Sequence, residues 1–154
     1  MPRRFLVKTL STFFFIGYLP LIPGTFGSIA GLMLFWLSGA NPAFHLVILS
    51  ALLFIGLAVA KDAEVIFGRK DSSRIVIDEV CGMLIALLFL PADIRVVITA
   101  FLLFRILDAF KAWPASKAEE LPQGIGVMAD DIVAGIYTNI ILQVVLRAAS
   151  LTFS

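Results

Sequence analysis

Five apolar stretches, at about Gly27 to Leu37, Phe44 to Ala60, Ile75 to Leu90, Val96 to Leu107 and Ile132 to Leu146, constrain this chain more than any other feature. They make up so much of the 154 residues that 60% of the chain is apolar and mean hydropathy reaches +1.03. Soluble domains hold roughly 45–50% apolar residues, so the excess needs a bilayer as solvent. The stretches lack the alternation of barrel strands, are rich in Ala, Leu, Ile and Phe, and are broken at Pro and Gly, which predicts helices. An 11-residue helix reaches only about 17 Å of a ~30 Å hydrocarbon core. The first stretch therefore spans incompletely or borrows length from the residues before it. Asn41-Pro42 and Pro91-Ala92-Asp93 are short breaks that favour helical hairpins. Met1 to Tyr18 reads as a retained helix lying at the membrane interface, since no small-residue cleavage site follows it. The expectation is an all-α, multi-helical integral membrane protein: one domain over residues 1–154, about four to five embedded helices and an N-terminal interfacial helix.

Charge sets the orientation. Arg3, Arg4 and Lys8, then Arg69 and Lys70 in the Lys61 to Arg74 connection, then Lys111 and Lys117, fall on alternate sides of the apolar stretches, and short basic segments stay cytoplasmic. The acidic residues follow the same partition. Asp62, Glu64, Asp71, Asp78, Glu79, Asp108, Glu119, Glu120, Asp130 and Asp131 fall at the cytoplasmic side, leaving only Asp93 of the 11 acidic residues opposite. Several adjoin apolar helix, where an unpaired charge is expensive and a cation is expected to compensate it. A net charge of +1 provides no broad basic surface, so nucleic acid is not an expected partner.

Three acidic elements come from separate segments: Asp78-Glu79, Asp108 and Asp130-Asp131. Brought together they would supply the hard oxygen ligands Mg²⁺ requires, with Glu64 and Asp71 as second-rank candidates. Each pair also has a plain reading as a helix cap or first-turn acid. Arg105, Asp108 and Lys111, spaced by three, are helical neighbours in which the cations hold phosphate or simply form a salt-bridged helix end. Pro23 to Ser28 precedes a helix, so the amides of Gly24 and Gly27 and the hydroxyls of Thr25 and Ser28 are candidates for an anion; Gly27 and Gly31 equally suit close helix packing. Asn139, Gln143 and Arg147 recur every four residues, as interhelical hydrogen bonding needs.

Absences narrow the chemistry. The single cysteine, Cys81, lies in an apolar helix and has no arginine six residues on, so no phosphatase cysteine loop exists. His45, the lone histidine, sits on the segment whose outer end is opposite the acidic cluster, which leaves phosphohistidine chemistry and a Ser-His-Asp triad without support. A metal-activated water is the economical nucleophile.

At these residues the chain resembles the phosphatidylglycerophosphatase A family. The resemblance rests on Leu21-Ile-Pro-Gly-Thr-Phe-Gly-Ser28, Ile75-Val-Ile-Asp-Glu-Val-Cys-Gly-Met83, Phe104-Arg-Ile-Leu-Asp108 with Lys111 and Trp113-Pro114, and Gly124-Ile-Gly-Val-Met-Ala-Asp-Asp-Ile-Val-Ala-Gly135, in the family's order. It implies a Mg²⁺-dependent phosphatase of the bacterial cytoplasmic membrane that converts phosphatidylglycerophosphate to phosphatidylglycerol, with the acidic motifs converging in an all-helical fold. Alternatives are phosphatase action on another lipid phosphate, and divalent-cation binding without catalysis. Ala112 departs from the family's Lys-Pro-Trp-Pro, which bears on loop shape and headgroup selectivity.

Overall fold

The structure is a computed structural model that describes residues 2–38, 41–70, 72–110 and 124–152. Among the described residues it is all-helical: six α-helices, one 3-10 turn at Ile16–Tyr18, and no strand. The helices are α1 (Pro2–Ser11), α2 (Pro23–Leu37), α3 (Pro42–Phe67), α4 (Ile77–Ala86), α5 (Ile94–Phe110) and α6 (Ile125–Thr152).

Local chemistry explains the ends. The Asn41 side chain accepts the Ala43 and Phe44 amides at 3.0 and 3.3 Å, and Pro42, whose missing N–H costs nothing there, begins α3. Gly68, at φ +67°, stops α3 in the left-handed conformation that glycine tolerates best. Asp93 Oδ1 accepts the Arg95 amide at 2.8 Å at the start of α5. Gly124, at φ +76°, turns the chain into α6 where a Cβ would strike the backbone of Ala60 and Lys61.

Several expected boundaries move. Charged residues do not end α3, which runs past Lys61, Asp62 and Glu64 to Phe67, so much of the expected Lys61 to Arg74 connection is helix. Pro23 to Ser28 is the opening of α2 itself, not a turn before it, which supplies the extra length expected of the first stretch. The stretch from Ile75 to Leu90 yields only the 10 residues of α4, about 15 Å, too short to cross a bilayer. By contrast α6 begins at Ile125, seven residues before the expected Ile132.

Among the described residues two helices, Pro42–Phe67 and the Ile125–Ala149 portion of α6, are long and apolar enough to cross a membrane. Only 28% and 22% of their most apolar windows is buried in the protein, so most of that apolar surface faces outward. Phe54, Ile140 and Val144 exemplify it, as does the Ile98, Leu102, Ile106 stripe at four-residue spacing on α5.

At the centre is α4, with Ile77, Asp78, Val80, Cys81, Gly82, Met83, Leu84 and Ala86 all buried. Small residues let its neighbours approach: a Cβ on Gly31 of α2 would lie 2.9 Å from Met83 Cβ, and one on Gly82 would lie 2.8 Å from the Asp131 carbonyl of α6. The free thiol of Cys81 is sealed in this core. His45 is buried beside the Phe35 ring, centroids 5.5 Å apart, as a packed imidazole.

Candidate active site

Three helix ends and the segment after α3 meet at one face of the bundle. The first turn of α4, the second turn of α6, the last turn of α5 and the segment that follows α3 surround a cavity of ≈ 270 Å³ lined by Arg69, Ser73, Asp78, Glu79, Asp108, Asp130 and Asp131. All five carboxylates singled out from the sequence line this one space. Ligand oxygens of Asp78, Glu79 and Asp131 lie within 4.8 Å of one another.

Their helix positions weigh against a purely structural role. Asp130 and Asp131 are the sixth and seventh residues of α6, so they do not cap it, contrary to one of the two readings of the sequence. Asp108 stands near the C-terminal end of α5, where the helix dipole disfavours negative charge. Arg105 offsets part of that charge, its guanidinium donating to Asp108 Oδ2 at 2.8 Å and to Ser28 Oγ at 3.5 Å. Asp78 and Glu79 do sit in the first turn of α4, and Asp78 Oδ1 accepts the Glu79 amide at 3.0 Å.

Burial sharpens the electrostatic problem. Asp78, Asp130 and Asp131 are 4%, 7% and 4% exposed. Burial, reinforced by the neighbouring Glu79 charge, pushes the Asp78 carboxyl well above the ordinary carboxylate range, and burial likewise raises Glu79. Glu79 Oε2 and Asp131 Oδ1 are buried with no hydrogen-bond partner, and such an orphan costs about 1–3 kcal/mol, more when charged. Five carboxylates around a cavity lined by one guanidinium, with Arg105 paired to Asp108 beside it and two oxygens left unsatisfied, fit a hard divalent cation. Asp78, Glu79 and Asp131 are the residues placed to hold it, with Asp108 and Asp130 on the same cavity.

The glycine-rich segment contributes differently from expectation. Gly24 lies where a Cβ would collide with the Glu79 carboxylate and come within 3.4 Å of Arg105, so the first turn of α2 abuts the site. Thr25 occupies the same turn. Gly27 and Ser28 lie deeper in α2: Gly27 packs on Val76 and the Glu79 Cβ, and Ser28 Oγ donates to the Gly24 carbonyl at 3.1 Å. Their amides are inside the helix and are not open to an anion, because only the first amides of a helix lack partners. Glu64 lies on α3 outside the cavity lining, and Lys111 and Asp71 fall outside the described residues. Two lining residues, Arg69 and Ser73, were not among the expected site residues. Arg69 was legible only as an orienting charge, and nothing in the sequence distinguishes Ser73 from an ordinary loop serine.

Comparison with known proteins identifies relatives over most of the chain. The family profile described as phosphatidylglycerophosphatase A matches residues 9–146. A phosphatidylglycerophosphatase A of Escherichia coli is 37% identical over 130 residues, covering 82% of this chain and 75% of that protein. The Haemophilus influenzae protein of the same name is 31% identical over 140 residues, covering 88% and 86%. A Bacteroides thetaiotaomicron protein provisionally named phosphatidylinositol-3-phosphatase is 36% identical over 154 residues, covering 91% and 93%. No solved structure matches.

Proposed function

Because the chain belongs to the phosphatidylglycerophosphatase A family, we propose that it hydrolyses the terminal phosphomonoester of phosphatidylglycerophosphate, releasing phosphatidylglycerol and inorganic phosphate with Mg²⁺ as cofactor. The observation that carries this reading is the shared cavity of Asp78, Glu79, Asp108, Asp130 and Asp131, with two buried oxygens left without partners. Asp78, Glu79 and Asp131 would hold the ion, with Asp108 and Asp130 lining the same cavity. When bound, Mg²⁺ neutralises charge on the phosphoryl oxygens and makes water a better nucleophile.

The chain's own groups do the rest. Arg105, fixed by Asp108 and Ser28, and Arg69 at the cavity edge present guanidiniums to the charge that builds on the phosphoryl oxygens during transfer. The Gly24 and Thr25 amides, in the uncapped first turn of α2, add donors where the helix dipole favours an anion. The deep burial of the carboxylates excludes bulk water and strengthens every charge interaction inside.

The bilayer supplies the lipid. In this reading α3 and α6 cross it, α2 and α5 are embedded against them, and α1 lies at the interface. The site faces the cytoplasm of a bacterium, because Arg3, Arg4, Lys8, Arg69 and Lys70 are on the short segments that the positive-inside rule retains there. The Bacteroides relative favours a second reading, in which the phosphomonoester belongs to a phosphorylated inositol lipid. Phosphate release from the purified protein, measured on both lipids with Mg²⁺ and again with EDTA, tests the proposal. Mg²⁺-dependent release from phosphatidylglycerophosphate in preference to the inositol lipid is expected. No release, or a rate that EDTA leaves untouched, contradicts it.

A further inference from the structure

Beside the carboxylate cavity is a second, differently built feature. After α1 the chain turns through Phe13, Phe14 and Phe15 at φ 42°, 55° and 69°, then through Leu21 at φ 77°, conformations that bulky side chains adopt only under constraint. The constraint is visible. The buried Thr12 hydroxyl donates to the Lys8 carbonyl at 2.7 Å and accepts the Phe15 amide at 3.1 Å, and the Val76 amide donates to the Ser11 carbonyl at 3.0 Å. Gly17 has no room for a Cβ against the Arg74 carbonyl. This hook is thus pinned to the short segment that leads into Asp78-Glu79, and its other end runs into Gly24 beside Glu79 and Arg105.

The hook presents Phe14, Phe15, Tyr18, Leu19, Leu21 and Ile22 outward, Leu21 at 96% exposure. Over this apolar edge stands one cation. The Arg74 guanidinium lies 5.4 Å from the Tyr18 ring centroid and 5.9 Å from that of Phe67, and it has no carboxylate partner among the described residues. Arg74 follows directly on Ser73, which lines the cavity, and its carbonyl abuts Gly17 of the hook. An arginine held on aromatic faces keeps its donor edge available and is ordered in advance, a good arrangement for binding a phosphate oxygen pair.

We propose that Arg74 binds the phosphodiester of the lipid substrate while the terminal phosphomonoester occupies the carboxylate cavity, with the Phe14 to Ile22 hook receiving the start of the acyl chains. The inference rests on the lipid phosphatase reading above and deepens it. A phosphodiester with two acyl chains is common to both candidate headgroups, so Arg74 selects for a diester-bearing lipid whichever sugar or glycerol carries the monoester. It separates such lipids from phosphatidic acid and soluble phosphomonoesters, which have no second phosphate.

The test compares the intact protein with Arg74→Ala and Arg74→Lys in detergent micelles. Arg74→Ala is expected to raise KM for phosphatidylglycerophosphate on the order of tenfold with kcat within about twofold, the loss of one charge-assisted phosphate contact. Inhibition by phosphatidylglycerol, which has the diester but no monoester, should weaken by a similar factor. Inhibition by inorganic phosphate should not change, and Arg74→Lys should restore part of the loss. Unchanged KM and phosphatidylglycerol affinity, or a fall in kcat with phosphate affinity lost equally, overturns the assignment. Retention of phosphatidylglycerol by the folded variants, read by native mass spectrometry without turnover, reports on Arg74 even where the wild-type protein releases no phosphate, which would sink the phosphatase reading alone.

Discussion

Asp131 and Asp93 are the same side chain in opposite circumstances. Asp93 is exposed, accepts the Arg95 amide at a helix start and lies 3.6 Å from the Arg95 guanidinium, so its charge is solvated and locally used. Asp131 is buried, carries an oxygen with no partner and shares its cavity with four other carboxylates. Asp131→Asn is therefore expected to lower kcat/KM by about 10²–10³-fold, the scale of removing one group that organises transition-state charge, while Asp93→Asn leaves it within about twofold. Steady-state phosphate release on the two variants checks both. The raised carboxyls of Asp78 and Glu79 carry a pH prediction. Without metal, the unfolded chain ionises these groups near pH ~4 while the folded protein keeps them protonated to higher pH, so they lower stability progressively as pH rises from ~4 through the folded-state values. Mg²⁺ competes with those protons, so its stabilising shift in Tm should grow across the same window, and binding should release protons. A Mg²⁺-induced Tm shift independent of pH would contradict it. At this scale the acidic residues were legible in the sequence because a charge beside long apolar stretches is costly wherever it is placed. Of the two readings open for Gly27, close helix packing is the one the structure shows, and the anion reading of Gly27 and Ser28 was indistinct for a physical reason: the motif is the same whether a helix begins before or after it.

Helix ends were the least legible part of the fold. Hydrophobic periodicity marks where apolar faces lie, but α3 and α6 carry charged residues within their helical turns, and their true limits are set by Asn41, Gly68 and Gly124. The early end of α4 has no local sequence mark, since Leu87 to Leu90 is as apolar as what precedes it. Its carbonyls are taken by a neighbour: Asn139 Nδ2 donates to the Ala86 and Leu88 carbonyls at 3.1 and 2.7 Å, and Gln143 Nε2 donates to Asn139 Oδ1 at 2.8 Å. Of the polar repeat on α6, Asn139 makes the expected interhelical bonds, whereas Gln143 and Arg147 bond back along α6 itself. Asn139→Leu leaves both carbonyls unpaired and is expected to cost about 1–2 kcal/mol of stability. Gly82→Ala acts on the same pair of helices by steric means. A Cβ there would sit 2.7 Å from the Phe104 ring and 2.8 Å from the Asp131 carbonyl, so α4 and α6 must separate, at about 1–3 kcal/mol. Chemical denaturation in detergent measures both; stability equal to wild type in Gly82→Ala would show that the helices are not packed through this glycine.

For the whole molecule, apolar surface and acidic cavity are two consequences of one arrangement. The long outward-facing apolar helices fit a bilayer, and the small-residue contacts of α4 draw α2 and α6 close until the starts of α4 and α6, with the end of α5, enclose a polar space that the first turn of α2 abuts. Which helices neighbour one another was not in the sequence pattern, because glycine spacing identifies a surface that can be approached closely without naming its partner. The most direct measurement of the account is Mn²⁺ binding to the purified, EDTA-stripped protein, with free ion counted by electron paramagnetic resonance, since Mn²⁺ takes the same hard oxygen ligands as Mg²⁺. Saturable binding that Mg²⁺ displaces, and that Asp78→Asn and Asp131→Asn each weaken by at least about tenfold, is the predicted result. No saturable binding, or binding that both variants retain in full, would contradict a cation shared between α4 and α6.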